Sequence, residues 1–402
     1  MNHHFSRRMN NAHKSFIREI LKVGENPSVI SFAGGLPNPD LFPIKEIQEA
    51  CNKVLTTGGA DALQYSTTEG YLPLREYIAG RYLKRFGLTV DPAEILITNG
   101  SQQGLDLLGK IFIDEGDNLI IEQPGYLGAI QAFTAYTPNF FPVPLNEDGI
   151  DIATFSETVA TAKAKFFYCV PNFQNPSGIT YTKECREQVA RILDKSDTLL
   201  IEDDPYGELR FIGEPSPTFR SYLGTKAIIL GTFSKIVVPS FRLGWVYAPK
   251  RIMEKLIIAK QGTDLHTNYF SQKIVSQYLQ DYNIDDHIEK IKVVYKKHRD
   301  TMIRMIEQHF PSEIEYTKPE GGMFLWVTLP AGLTSMALFE RALTKDVAFV
   351  PGNPFFVNTK GNNTLRLNYS NANEEMIEKG IKKLGEAIKE LITSQAKTLC
   401  PA

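Results

Sequence analysis

The sequence predicts an α/β fold, with a mainly parallel central sheet in a large domain and a smaller α+β domain beside it. Three observations carry this. Six short apolar runs recur between about residues 95 and 250, each run ends in polar or small residues, and segments able to form helices separate them. Runs that are apolar throughout, without alternation, are what strands buried on both faces show. Helices between them imply right-handed crossovers and parallel neighbours. Beyond about residue 251 the pattern turns to long helices followed by a second group of strands, which fits an α+β unit.

The first run, ILITNG (95–100), leads into Ser101-Gln102-Gln103-Gly104, after which Leu105, Leu108, Ile111 and Phe112 take helical spacing. Gly100 allows a tight turn, and the free N–H groups of a helix start favour an anion; a plain Ser N-cap is the alternative. NLIIEQPGY (118–126) and KFFYCVPN (165–172) come next. TLLIEDDPY (198–206) puts Asp203, Asp204 and Tyr206 just past an apolar strand, where an acid must be paired or it resists ionisation. AIILGTFSK (227–235) ends on Lys235 beside Thr232 and Ser234, with Arg242 seven residues further on and LGWVYAP (243–249) after it. A buried lysine with a lowered pKa suits Schiff-base chemistry, because only the neutral amine attacks a carbonyl. Two hydroxyls and an arginine can hold a phosphate. These clusters fall at strand C-terminal ends, where open α/β sheets bind ligands.

The later elements are the helices RIMEKLIIAKQ, NYFSQKIVSQYLQ and HIEKIKVVYKKHRDTMIRMIEQHF. The strands GGMFLWVTLP, VAFVPGNPF and NTLRLNYS follow, and the amphipathic NEEMIEKGIKKLGEAIKELI closes the pattern.

Composition excludes several classes. With 44 Lys plus Arg against 46 Asp plus Glu, the formal net charge of −2 leaves no basic excess for nucleic acid. Cys51, Cys169, Cys185 and Cys400 form no CxxC pair, so neither a disulfide framework nor a metal site is expected. The positively charged N-terminus MNHHFSRRMN is followed by no apolar run of signal-peptide length, and no stretch reaches the ~18 apolar residues of a membrane span. A cytoplasmic location is expected. There is no GxGxxG, GxSxG or HExxH, and Gly104 to Lys110 imitates a P-loop but continues into Ile111 where Mg²⁺ needs a hydroxyl.

Eight motifs in order resemble one family: FAGGLP (32–37), QYSTTEGYLPLR (64–75), TNGSQQGLDL (98–107), EQPGY (122–126), PNFQNPSG (171–178), DDPY (203–206), GTFSK with its downstream arginine, and LRLNYS (365–370). The chain resembles the fold type I, pyridoxal-phosphate-dependent class I aminotransferases, and is most similar to the 2-aminoadipate and kynurenine aminotransferase branch. The resemblance implies that Lys235 binds the cofactor and moves the substrate proton, and that Asp203 holds the pyridine nitrogen. Tyr206 and Asn175 would bond the phenolic oxygen, and Tyr126 would stack on the ring. Ser101, Gln102, Thr232, Ser234 and Arg242 would form the phosphate cup, with Thr232 standing where the family often has Ser. Tyr65 would reach the phosphate from a neighbouring subunit of a homodimer. Arg366 would take the substrate α-carboxylate, assisted by Asn175 and the Gly34-Gly35 backbone.

The resemblance further implies that Arg18, in SFIREILK (15–22), meets a distal carboxylate; a surface position on an amphipathic helix is the alternative. It implies a large cofactor domain over 51–290 and a small domain of 1–50 with 291–402. The expected reaction moves an amino group between a 2-amino acid and a 2-oxo acid such as 2-oxoglutarate. A lyase or decarboxylase on the same site is an alternative, since reaction choice depends on which Cα bond stands perpendicular to the ring. A cofactor-sensing transcriptional regulator is less expected, because only about 30 residues precede FAGGLP and no helix-turn-helix fits there.

Overall fold

The first strand closes on the last third of the chain: β1 (Ile30–Ser31) pairs in parallel with Val347–Ala348. The computed structural model describes residues 6–10, 26, 28–358 and 360–399. The six apolar runs become β2 (Ile95–Asn99), β3 (Asn118–Gln123), β6 (Phe166–Cys169), β7 (Leu199–Asp203), β8 (Ala227–Thr232) and β9 (Leu243–Tyr247). With β4 (Asn139–Asn146) and β5 (Gly149–Ile150) they form one eight-stranded sheet in the order β2-β9-β8-β7-β6-β3-β4-β5.

Every residue of β6, β8 and β9 is buried, because helices cover both faces of the sheet. The helix Gly100–Phe112 packs Leu105, Leu107 and Leu108 on one side; the helices Ile152–Ala162 and Lys183–Asp194 pack Phe155, Val189 and Leu193 on the other. Side chains of this size each gain roughly 1.5–3 kcal/mol on burial. Gly104 permits the close approach, since a Cβ there would lie 2.7 Å from Leu230 Cδ2 of β8.

Direction matters more to the site than burial does. β8, β7, β6, β3 and β4 run parallel to their neighbours in turn, while β9 is antiparallel to both β8 and β2. β2 therefore points the same way as β8, and the start of β9 lies at the edge where the others end. β4 matches none of the expected runs. It carries Pro142 and Pro144, which cannot donate to a ladder, and its exposure varies along its length, as suits a strand near the sheet margin.

A smaller antiparallel sheet has the order β10 (Glu315–Tyr316), β11 (Phe324–Thr328), β14 (Thr364–Asn368), β13 (Val350–Pro351), and Val347–Ala348 is β12. The helices Ile284–His309 and Glu374–Leu399 pack against each other beside it. Asn283 caps the first by accepting from Asp285 N–H, and Asp285 and Asp286 at its start with His309 at its end suit the helix dipole. The expected domain boundaries at 50/51 and 290/291 fall inside the helices Ile44–Ala62 and Ile284–His309, so both helices run across that division. Among the described residues no helix is long and apolar enough to cross a membrane.

Candidate active site

The ends of β2, β3, β6, β7 and β8 and the start of β9 converge on a cavity of about 460 Å³. Arg366 of β14 and Gly35 of the 32–37 segment line it as well.

One group of lining residues suits an anion. The helix after β2 begins at Gly100, one residue before Ser101, and Asn99 occupies the cap position without a side-chain cap bond. Its first turn, with Ser101 and Gln102, holds no acidic residue and leaves N–H groups for a ligand. Thr232 Oγ1 accepts from Ser234 N–H at 3.1 Å and lies 3.0 Å from Ser234 Oγ, and Arg242 Nη1 approaches that oxygen at 3.5 Å. Gly100 is needed here because its φ of +70° is one that L side chains rarely adopt; a Cβ would also lie 2.5 Å from Arg242 Nη2. The Gln102 side chain serves otherwise, donating to the Gly128 carbonyl at 2.8 Å and tying this turn to the loop of Tyr126.

Elsewhere in the lining, Asp203 closes β7. Tyr168 donates to its Oδ2 at 2.8 Å, and its Oδ1 is buried without a partner. Burial pushes this carboxyl up to about 7; the Tyr168 hydrogen bond opposes that and the Asp204 charge adds to it. A buried acid with one open oxygen is matched to a cationic N–H.

In the same cavity, Lys235 Nζ donates to the Gly35 carbonyl at 2.9 Å. Burial, then the charges of Arg366 and Arg242, lower its pKa to about 8. Arg366 donates from Nη1 to Asn175 Oδ1 at 2.8 Å and from Nη2 to the Ala33 carbonyl at 2.7 Å, while its buried Nε has no partner. Its guanidinium lies 4.3 Å from the centre of the Phe324 ring, and burial lowers its pKa to about 10. Tyr206 lines the cavity with Asn175 and meets Phe324 edge-on at 5.8 Å. Tyr126 precedes the helix Leu127–Thr134 and lines the cavity, and burial pushes its hydroxyl up to about 12.

Of the sequence-predicted residues, Ser101, Gln102, Tyr126, Asn175, Asp203, Tyr206, Thr232, Ser234, Lys235, Arg242, Gly35 and Arg366 all line this one cavity. Gly34 stands one residue outside the lining. Tyr65 is also outside it, 79 % exposed, with its ring edge-on to His266 at 5.8 Å. Arg18 lies outside the described residues. Sequence reasoning missed Tyr168, Phe324 and Phe355, because an aromatic in an apolar run reads as core. It also missed buried Glu122, which accepts from Gln174 Nε2, Tyr181 O–H and Val170 N–H and so joins the loops bearing Tyr126 and Asn175.

The cavity fits pyridoxal phosphate: its lining combines an anion cup, an acid with an orphaned Oδ1 and a lysine with a lowered pKa. Fold and site together define a fold type I, pyridoxal-phosphate-dependent enzyme. Residues 29–384 match the family model for aminotransferase class I and II, and the chain belongs to that family. It is 43 % identical to the aromatic-amino-acid aminotransferase 1 of Thermococcus litoralis, over 96 % of this chain and 94 % of that one. It is 42 % identical to the 2-aminoadipate transaminase of Thermus thermophilus, over 94 % of each. The crystal structure of the alpha-aminoadipate aminotransferase of Thermus thermophilus, complexed with N-(5'-phosphopyridoxyl)-L-leucine, superposes with a TM-score of 0.91 at 40 % identity. That match covers 97 % of this chain and 98 % of the other. The protein is a pyridoxal-phosphate-dependent aminotransferase.

Proposed function

We propose that the enzyme moves an amino group between a 2-amino acid and a 2-oxo acid such as 2-oxoglutarate, taking aromatic, aliphatic or 2-aminoadipate side chains. One observation carries this reading: a lysine with its pKa lowered to about 8 shares a cavity with an arginine whose Nε is unpartnered. An amine near neutrality can take and return a proton, and an arginine with an open donor can hold a carboxylate.

In this reading Lys235 holds the cofactor and, once displaced by substrate, moves the proton at the substrate Cα. Asp203 offers Oδ1 to the pyridine nitrogen, and Tyr206 and Asn175 bond the phenolic oxygen. Tyr126 covers the ring face. Ser101 and Gln102 at the helix start, with Thr232, Ser234 and Arg242, take the phosphate. Bound there, pyridoxal phosphate supplies the electron sink for the pair released at the substrate Cα. Arg366 orients the α-carboxylate, with Asn175 and the Gly34-Gly35 backbone beside it.

The aromatic walls Tyr126, Phe324 and Phe355 support aromatic side chains, and the names of the two relatives support aromatic and 2-aminoadipate substrates. Arg18 is the proposed partner of a distal carboxylate. The exposure of Tyr65, away from its own chain's cavity, supports a homodimer in which it reaches the site of a second copy. The pairing of β1 with β12 supports a small domain of 1–50 with 291–402 beside a large domain of 51–290. Three free cysteines, Cys51, Cys169 and Cys185, support a reducing cytoplasm.

The test is the near-ultraviolet and visible spectrum of the purified enzyme, before and after single additions of 2-aminoadipate, glutamate, kynurenine, leucine or alanine. Conversion to the amine form of the cofactor by a donor, reversed by 2-oxoglutarate, is expected. A spectrum unmoved by every donor overturns the proposed substrates.

A further inference from the structure

The Asp203 carboxyl is engaged on one side only. Among the described residues, Tyr168 is the one side chain that hydrogen-bonds it, through Oδ2 at 2.8 Å, and Oδ1 is left buried and unpartnered. Sheet register produces this contact. β6 and β7 are parallel, with Tyr168 opposite Ile201, so Asp203 lies two residues nearer the ligand edge on the same face. The phenol reaches forward along the strand to meet it. The ring is fully buried, with Phe133 edge-on at 5.7 Å, and Phe133 belongs to the helix that follows Tyr126. The hydroxyl therefore sits away from bulk water with the carboxylate as its hydrogen-bond partner.

We propose that Tyr168 is a positioning residue for the cofactor: its hydroxyl ties down Oδ2, turning Oδ1 toward the cavity as the one open acceptor for a ring N–H. The inference rests on the reading of Asp203 as partner of the pyridine nitrogen. Two physical consequences follow. A carboxylate held at one oxygen loses rotational freedom before the ligand arrives, so less is lost on binding. A donor to the charged form also favours that form over the neutral acid, and the charged form is the one that attracts a cationic N–H.

Tyr168→Phe keeps the ring and its packing and deletes one oxygen. The experiment is a titration of the full-length, cofactor-free enzyme with pyridoxal phosphate, followed by protein fluorescence. It uses wild type, Tyr168→Phe, Asp203→Asn and the double variant, with a pH titration of the bound cofactor's visible absorbance for each. Tyr168→Phe is expected to weaken cofactor binding by roughly tenfold, the scale of one hydrogen bond to a charged group. In the Asp203→Asn background the same change is expected to cost less than about twofold, because the route through Asp203 is gone. The pH midpoint of the absorbance is expected to move on Tyr168→Phe in the wild-type background and to stay put in the Asp203→Asn background.

A phenol that only fills the core gives equal losses in both backgrounds, or none, and either result overturns the proposal. A wild-type enzyme that fails to bind pyridoxal phosphate overturns the reading of Asp203 instead. The wild-type titration separates the two failures.

Discussion

Lys235 Nζ donates to the carbonyl oxygen of Gly35 at 2.9 Å, joining residues 200 positions apart across the cavity. Two residues earlier, the Ala33 carbonyl accepts from Arg366 Nη2 at 2.7 Å. One short peptide segment thus sets the spacing between the side chains proposed to act at the amino and carboxylate ends of a substrate. Mobility of that segment would loosen both at once, which is the physical reason for its two anchors.

Lys235 titrates low because burial and two guanidinium groups disfavour its charge. Acylation of this residue in the cofactor-free enzyme, followed by mass spectrometry, is expected to be half-maximal near pH 8, slower below and faster above. A midpoint at the ordinary lysine value would contradict the environment described. Lys235→Ala is expected to remove the cofactor's protein-bound visible band and to lower turnover by about 10³-fold or more.

Arg366→Lys keeps a charge but loses the planar fork that serves Asn175 and Ala33 and is proposed to serve an incoming carboxylate. A fall in kcat/KM of about 10²-fold is expected for every amino acid tried, with the cofactor spectrum intact. Loss of the cofactor band would instead mean that Arg366 supports the cofactor and not the substrate.

Gly100→Ala places a methyl group at φ +70°, 2.5 Å from Arg242 Nη2. The backbone cost is roughly 1–2 kcal/mol, and Arg242 must also move away from the cup. Cofactor affinity is expected to fall by about tenfold or more in an equilibrium titration. Gly80→Ala is the control: that glycine is exposed in the helix Leu72–Phe86 with open space around it, and alanine there is expected to stabilise by about 0.5–1 kcal/mol.

Asp203 titrates at about 7 in the folded chain against 3.8 for a free aspartate, so between those values the native state binds more protons than the unfolded one. Stability of the cofactor-free enzyme is expected to fall as pH rises through that window. Asp203→Asn removes this contribution, so the variant gains on wild type from about pH 4 to 7. The gain is at most about 4 kcal/mol, since each pH unit between the two values is worth about 1.4 kcal/mol. Urea unfolding of both cofactor-free proteins across this range checks the sign; a constant difference would mean that Asp203 is not held protonated.

Arg18→Ala is expected to lower kcat/KM for 2-aminoadipate by more than about tenfold while sparing aromatic donors. Equal losses on acidic and aromatic donors, measured side by side, would remove Arg18 from specificity.

Much of the fold could be read from local pattern. A continuous apolar run needs cover on both faces, and that property belongs to the run itself, so β2, β3, β6, β7, β8 and β9 stood out. β4 did not, because Pro142 and Pro144 interrupt its pattern. Residue chemistry likewise marked Asp203, Lys235 and Arg242 one at a time. The resemblance, and no spacing, supplied their joint roles and that of Arg366.

By itself, then, the sequence determined which segments are buried strands, which residues carry reactive groups at their ends, and the family they resemble. Only the tertiary structure decided that β9 runs against its neighbours and so brings Arg242 to the edge where β8 delivers Thr232 and Ser234. It alone set Tyr168 against Asp203, Phe324 under Arg366 and Gly35 over Lys235. The reason is physical: periodicity and side-chain chemistry are properties of neighbours along the chain. The distance between side chains on separate strands depends on strand direction and register, which an apolar run leaves undetermined.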